Sequence, residues 1–145
     1  MKNLLNPYQK NSLRISLLMF EENLRRAQEW LDGREENGIL YRRKLEISEE
    51  NRKQATRAIV AALKIIEKVS RTFALEVELE SASAILRGAL TVNWENLMDT
   101  KAAKLKRYGR VHPELGGMLD EDIQELAEIA LKLSAILGET QQEKP

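Results

Sequence analysis

An all-α fold is what the sequence predicts: a single-domain four-helix bundle, antiparallel and up-and-down, over residues 1–145. Three observations carry the prediction. Apolar residues recur at alternating spacings of four and three, the period of one helix face. Helix breakers are sparse, with three prolines and seven glycines in 145 residues. The composition, 43% hydrophobic and 32% charged, is that of a globular chain rich in helix formers. The length suits one ordinary domain that buries its core without disulfides.

The first segment predicts a helix over about 8–32. Leu13, Leu17, Phe20, Leu24, Ala27 and Leu31 fall on one stripe. Asn6-Pro7 suits its start, and Asp32-Gly33 its stop, because glycine accepts the left-handed conformation that ends a helix. The second helix is expected over about 48–74, on the stripe Ala55, Ile59, Ala62, Ile66, Val69 and Phe73. Ser48 is its N-cap, and Glu49 and Glu50 suit the positive end of the helix dipole. Between the two, residues 39–47 fit a short helix or an extended lead-in, since a lone strand would have no partner there.

The third helix is the longest expectation, about 75–108. Its stripe runs through Leu79, Ala82, Leu86 and Ala89, then Leu90, Trp94, Leu97, Lys101, Leu105 and Tyr108. Gly88, which costs about 1 kcal/mol in a helix interior, marks either a kink or a close helix–helix contact. The last helix is expected over about 120–138, with Asp120 as N-cap, Ile123, Leu126, Ala130, Leu133 and Leu137 inside, and Gly138 as the stop. The tail 139–145 is polar.

Composition narrows the function classes. The chain has no cysteine and one histidine, which removes thiolate sites, two-histidine metal motifs and the common nucleophile–histidine pairs. No Glu-x-x-His motif occurs, so a carboxylate-bridged metal centre in the bundle is not expected. No cofactor, metal site or catalytic residue is assigned. Lysine plus arginine equals aspartate plus glutamate at 23 each, which argues against bulk attraction to nucleic acid or anionic lipid. With no apolar run of membrane-spanning length and no signal-peptide pattern, a cytoplasmic location and no membrane partner are the expectation.

Two surfaces stand out as binding candidates. Lys101, Lys104, Lys106, Arg107 and Arg110 form a basic run that also contains Tyr108 and His112. Such a run suits phosphates, with an aromatic ring to stack on a base. The competing reading is structural: cations favour a helix C-terminus, and the acidic start of the next helix, residues 120–128, would neutralise them. The second candidate is an apolar partner patch of Trp30, Ile39, Leu40 and Tyr41, which otherwise closes one end of the bundle. Apolar positions flanking the main stripes, among them Ile15, Met19, Val60, Ile65, Leu131 and Ile136, suggest burial on a second face. The function expected is therefore non-enzymatic protein–protein interaction, with a homodimer as the first partner to test. A nucleic-acid-binding module using residues 101–112 is the alternative.

Overall fold

The computed structural model of the chain describes residues 4–139. It is predominantly helical and divides into two compact units, Met1–Val77 and Glu78–Pro145. Among the described residues there are five α-helices where four were expected. The tail 140–145 lies outside the described residues.

In the first unit, α1 spans Pro7–Leu31 and α2 spans Glu49–Thr72. The start of α1 is a reciprocal capping box. Asn6 Oδ1 accepts from the Gln9 N–H at 2.8 Å, and Gln9 Oε1 accepts from the Asn6 N–H at 3.0 Å. Its end is a Schellman closure around Gly33 at φ +97°, in which the Arg34 N–H reaches the Glu29 carbonyl and the Gly33 N–H the Trp30 carbonyl, both at 3.1 Å. The N-cap Ser48 accepts from the Asn51 N–H at 3.1 Å, as expected. Leu24, Leu31 and Ile59 form the buried centre, with Ala55, Ala62, Leu63 and Ile66 packed against it. Phe20, expected on the buried stripe, is half exposed instead.

Residues 39–47 are neither a helix nor an unpaired lead-in. A two-stranded antiparallel ribbon forms between β1, Glu36–Asn37, and β2, Arg42–Arg43, with Glu36 opposite Arg43 and Asn37 opposite Arg42. The partner strand lies immediately upstream, in a stretch of charged residues with no apolar alternation to mark it. Leu45 and Ile47 then pack on the Leu24–Leu31–Ile59 cluster and anchor the ribbon to the helices.

The second unit holds α3 (Ala82–Met98), α4 (Ala102–Leu105), a 3₁₀ turn (Lys106–Tyr108) and α5 (Leu115–Leu137). The expected helix over 75–108 is therefore corrected at both ends. Residues 75–81 contain no helix, because Glu76, Glu78 and Glu80 alternate with Val77 and Leu79, a period of two rather than 3.6. Helix α3 starts only at Ser81, whose Oγ accepts from the Ala84 N–H at 3.1 Å. It stops where Thr100 directs both its N–H, at 2.9 Å, and its hydroxyl, at 2.6 Å, to the Leu97 carbonyl. Such local side-chain bonds compete with helix continuation.

Gly88 lies within the unbroken span of α3, and a Cβ built there meets nothing within 4 Å, so it marks no close helix contact. Helix α5 begins five residues before the expected cap. His112 supplies the turn: its carbonyl accepts from the Leu115 N–H at 3.0 Å and its Nδ1 from the Glu114 N–H at 3.1 Å. Asp120, freed from capping its own helix, accepts at Oδ1 from the Ala102 N–H at 2.8 Å and so closes the otherwise uncapped start of α4.

Helices α3 and α5 pack antiparallel. Lys101 donates to Gln124, Asp120 reaches Ala102, and a Cβ at Gly138 would lie 3.2 Å from the Arg87 guanidinium. The buried stripe of α5 is Ile123, Ala127 and Ala130, continued by half-buried Ser134 and Leu137. Leu126 and Leu133, expected inside, stand one residue off that stripe and are half exposed.

Two substitutions of opposite kind test this backbone. Ala74 closes α2 at φ +52°, with its N–H on the Arg71 carbonyl and the Leu75 N–H on the Ser70 carbonyl. Ala74→Gly is expected to stabilise the protein by about 1 kcal/mol by relieving left-handed strain. Gly88→Ala is expected to stabilise by a similar amount, about 0.8–1 kcal/mol, through helix propensity. Urea unfolding midpoints should rise for both, and a fall in either would contradict the stated geometry.

Candidate functional site

The ribbon between α1 and α2 ends in the loop Gly38–Tyr41, closed by the Gly38 N–H on the Tyr41 carbonyl at 2.8 Å. Tyr41 folds back over Gly38, where an added Cβ would meet the ring at 2.5 Å, and the Arg43 guanidinium covers the ring at 4.4 Å from its centroid. The ribbon's base is clipped by Glu36, which faces Arg43 at 3.3 Å and Arg34 at 3.4 Å. This rigid base leaves Ile39 and Leu40 at the tip with 101% and 94% of their surface exposed.

Of the four residues in the expected apolar patch, Ile39, Leu40 and Tyr41 share this loop. Trp30 instead lines a cavity of about 880 Å³ along α1 and the ribbon base, with Arg25, Arg26, Glu29, Glu36 and Arg43 among its walls. Carboxylates and guanidinium groups alternate around that cavity, so it offers no preference for either sign of ligand.

The basic run is split by the structure. Lys101 is half-buried and donates to Gln124. Arg107 faces Asp99 at 3.8 Å, donates through Nε to the Lys104 carbonyl at 3.3 Å, and lies 5.5 Å from the Tyr108 ring centroid. Lys104, Lys106 and Arg110 are exposed and form no ion pair among the described residues. The acidic start of α5 meets the beginning of this run through Asp120 and Gln124, which hold a backbone N–H and one lysine. Lys101 meets only the neutral Gln124 amide, so among the described residues no carboxylate of 120–128 forms an ion pair with the run. Tyr108 is 79% exposed, its ring available on the surface.

A third surface was hidden from the sequence stripes. Ile85, Val92, Leu126, Ile129, Leu133 and Ile136 each keep between 43% and 59% of their surface exposed on α3 and α5. Only the last of these drew attention as a flanking apolar position; Leu126 and Leu133 read as core. The available signal was the doubling of apolar residues on α5, where Leu126–Ala127, Ile129–Ala130 and Ile136–Leu137 place a large residue beside each seam position.

Among the described residues no group of three or more His, Asp or Glu side chains is disposed to hold a metal ion, and no helix is long and apolar enough to cross a membrane. Compared with protein-family models, curated protein sequences and solved structures, the chain gives no match.

The Ile39–Leu40 tip contributes nothing to the core, so the double substitution Ile39→Ser/Leu40→Ser is expected to change stability by no more than about 0.5 kcal/mol. Leu24→Ala, by contrast, should cost about 2–5 kcal/mol. Thermal melts of the two variants measure the difference. A large loss from the tip substitution would mean that the loop is part of the fold.

Proposed function

We propose that this chain is a non-enzymatic, cytoplasmic interaction protein that binds other polypeptide chains, its own copies included, through apolar helical surface. The observation that carries the reading is the number of large apolar side chains left exposed, among them Ile39 and Leu40 at the ribbon tip and Ile85, Val92, Leu126, Ile129, Leu133 and Ile136 on α3 and α5. Single surface hydrophobes are ordinary, but so many on adjacent turns of α5 (Leu126, Ile129, Leu133 and Ile136) are the kind of surface that binds partners. A four-helix bundle is the architecture proposed for the assembly, because joining two helix pairs buries second apolar faces that one pair leaves open. Light scattering at tens of micromolar should give a species heavier than one 16.6 kDa chain, or a monomer that strongly enhances the fluorescence of an apolar dye. A monomer that leaves the dye dark would end this reading.

The exposed Tyr108 among Lys106, Arg107 and Arg110 favours a second reading, a local nucleic-acid contact. If all five cations from Lys101 to Arg110 met phosphates, binding to labelled duplex would weaken with a log–log salt slope no steeper than about −4.5. With Lys101 and Arg107 already engaged, a slope nearer about −2.7 is expected from the remaining three. Lys104→Glu/Arg107→Glu should abolish that binding, and anisotropy unaffected by the double variant would remove the idea.

A further inference from the structure

Asn37 and Gly38 form the only Asn–Gly pair in the chain, and they lie where β1 turns into the loop. The pair carries a specific chemistry. The backbone nitrogen that follows an asparagine can close a five-membered ring on the side-chain Cγ, and glycine, lacking a Cβ, hinders that approach least. No other described asparagine is so placed. Asn11, Asn23, Asn51, Asn93 and Asn96 lie within helices, which hold the next nitrogen in a backbone hydrogen bond. Asn6 precedes Pro7, which has no N–H to give up.

The ribbon holds Asn37 lightly. Its base is clipped by Glu36 on Arg34 and Arg43. Beyond that base, two contacts keep the tip closed. The Gly38 N–H donates to the Tyr41 carbonyl at 2.8 Å. The Tyr41 ring covers Gly38 and carries the Arg43 guanidinium 4.4 Å from its centroid. While both hold, the Gly38 N–H is engaged with Tyr41 and Asn37 is fixed in an extended strand, away from ring closure. Strands of two residues, held by exposed contacts, open locally at little cost.

We propose that Asn37 is a deamidation site gated by opening of the ribbon tip. When the tip opens, hydroxide removes the Gly38 amide proton and the nitrogen adds to the Asn37 Cγ. The new C–N bond displaces ammonia and leaves a succinimide. Water then opens the ring at either carbonyl, giving aspartate or isoaspartate at position 37. The sum is one water consumed and one ammonia released, with no change of oxidation state.

Either product alters the ribbon. Aspartate places a carboxylate opposite Arg42, a favourable cross-strand pair that the neutral amide does not make. Isoaspartate routes the chain through the former side chain and adds one methylene before Gly38. Gly38 then no longer meets Tyr41 when Glu36 meets Arg43. Ile39 and Leu40 are re-aimed by that change, while the helices are left alone. The modification thus acts on the exposed tip whether or not the tip binds a partner.

Incubation of the full chain at mildly alkaline pH, followed by tryptic mapping, tests the site. The peptide of residues 35–42 should gain one mass unit, NH2 replaced by OH, and separate into two products of equal mass. Its rate should rise with hydroxide concentration and stay below that of the same chain unfolded in guanidinium chloride. Tyr41→Ala should raise the folded rate about two- to fivefold, the opening gained when an exposed cation–π contact is lost. Asn37→Gln should suppress the mass gain, because the longer side chain would have to close a six-membered ring.

Equal rates in the folded and unfolded chain, or a Tyr41→Ala rate no higher than the parent's, overturn the gate. A mass gain at another asparagine ahead of Asn37, or none at 35–42 in the unfolded chain, overturns the site.

Discussion

The constraint on which this structure turns is that two helices share only one seam. Each long helix faces a single principal partner within its unit, so one stripe per helix is buried and the rest stays open to solvent. The α3–α5 seam makes the most of this with small residues: Ala127 is wholly buried and Ala130 nearly so, which lets the backbones approach closely. The first unit uses larger groups, Leu24, Leu31 and Ile59, with the ribbon residues Leu45 and Ile47 added as a third contributor. A large apolar side chain yields roughly 1.5–3 kcal/mol only when fully buried, and no large side chain reaches that state among the described residues.

A thin seam makes the polar ties at its ends matter more. In the first unit the Arg52 guanidinium donates to the Leu31 carbonyl, joining the start of α2 to the end of α1. In the second, Asp120 and Gln124 on α5 hold the Ala102 N–H and the Lys101 ammonium. The ties to the Leu31 carbonyl and the Ala102 N–H satisfy backbone groups at helix termini that lack an intrahelical partner, and all three ties bear on the register of an antiparallel pair. Register and capping are thus handled by the same residues. That economy suits units with few buried contacts to spare.

The elements whose ends are set by local chemistry were legible. Asn6-Pro7, Gly33 and Ser48 act where their own backbone requires them, so α1 and α2 came within one or two residues of expectation. The elements set by tertiary pairing were not. Asp120 looks like a cap in sequence, and it is one, but for a different helix 18 positions upstream. The ribbon strands, two residues each, are too short for any periodicity to announce. On α5 the phase of the buried stripe depended on which neighbour the helix meets: Ile123 and Ala130 lie on it as expected, but choosing leucines over small residues gave Leu126 and Leu133 in place of Ala127 and Ser134. The basic run showed its composition but not its division, because only the folded turn at Asp99–Lys101 reveals which cations are engaged.

The two apolar surfaces differ in shape, and shape bears on what each would contribute to the proposed binding. Ile39 and Leu40 project from a narrow ribbon held at its base by Glu36, Arg34 and Arg43. A convex tip of two side chains removes little area from water, and at about 25 cal/mol per Å² it adds a few kcal/mol at most, suited to a pocket on a partner. The α3–α5 face is broad and low, so only a comparably broad apolar surface can cover it. In the proposed binding the first surface would favour selectivity, since a pocket must match two particular side chains, and the second would favour stable association. Because they belong to different units, a partner bound at the tip and an association through the helices draw on separate residues. Occupancy of one surface therefore need not consume the side chains that serve the other.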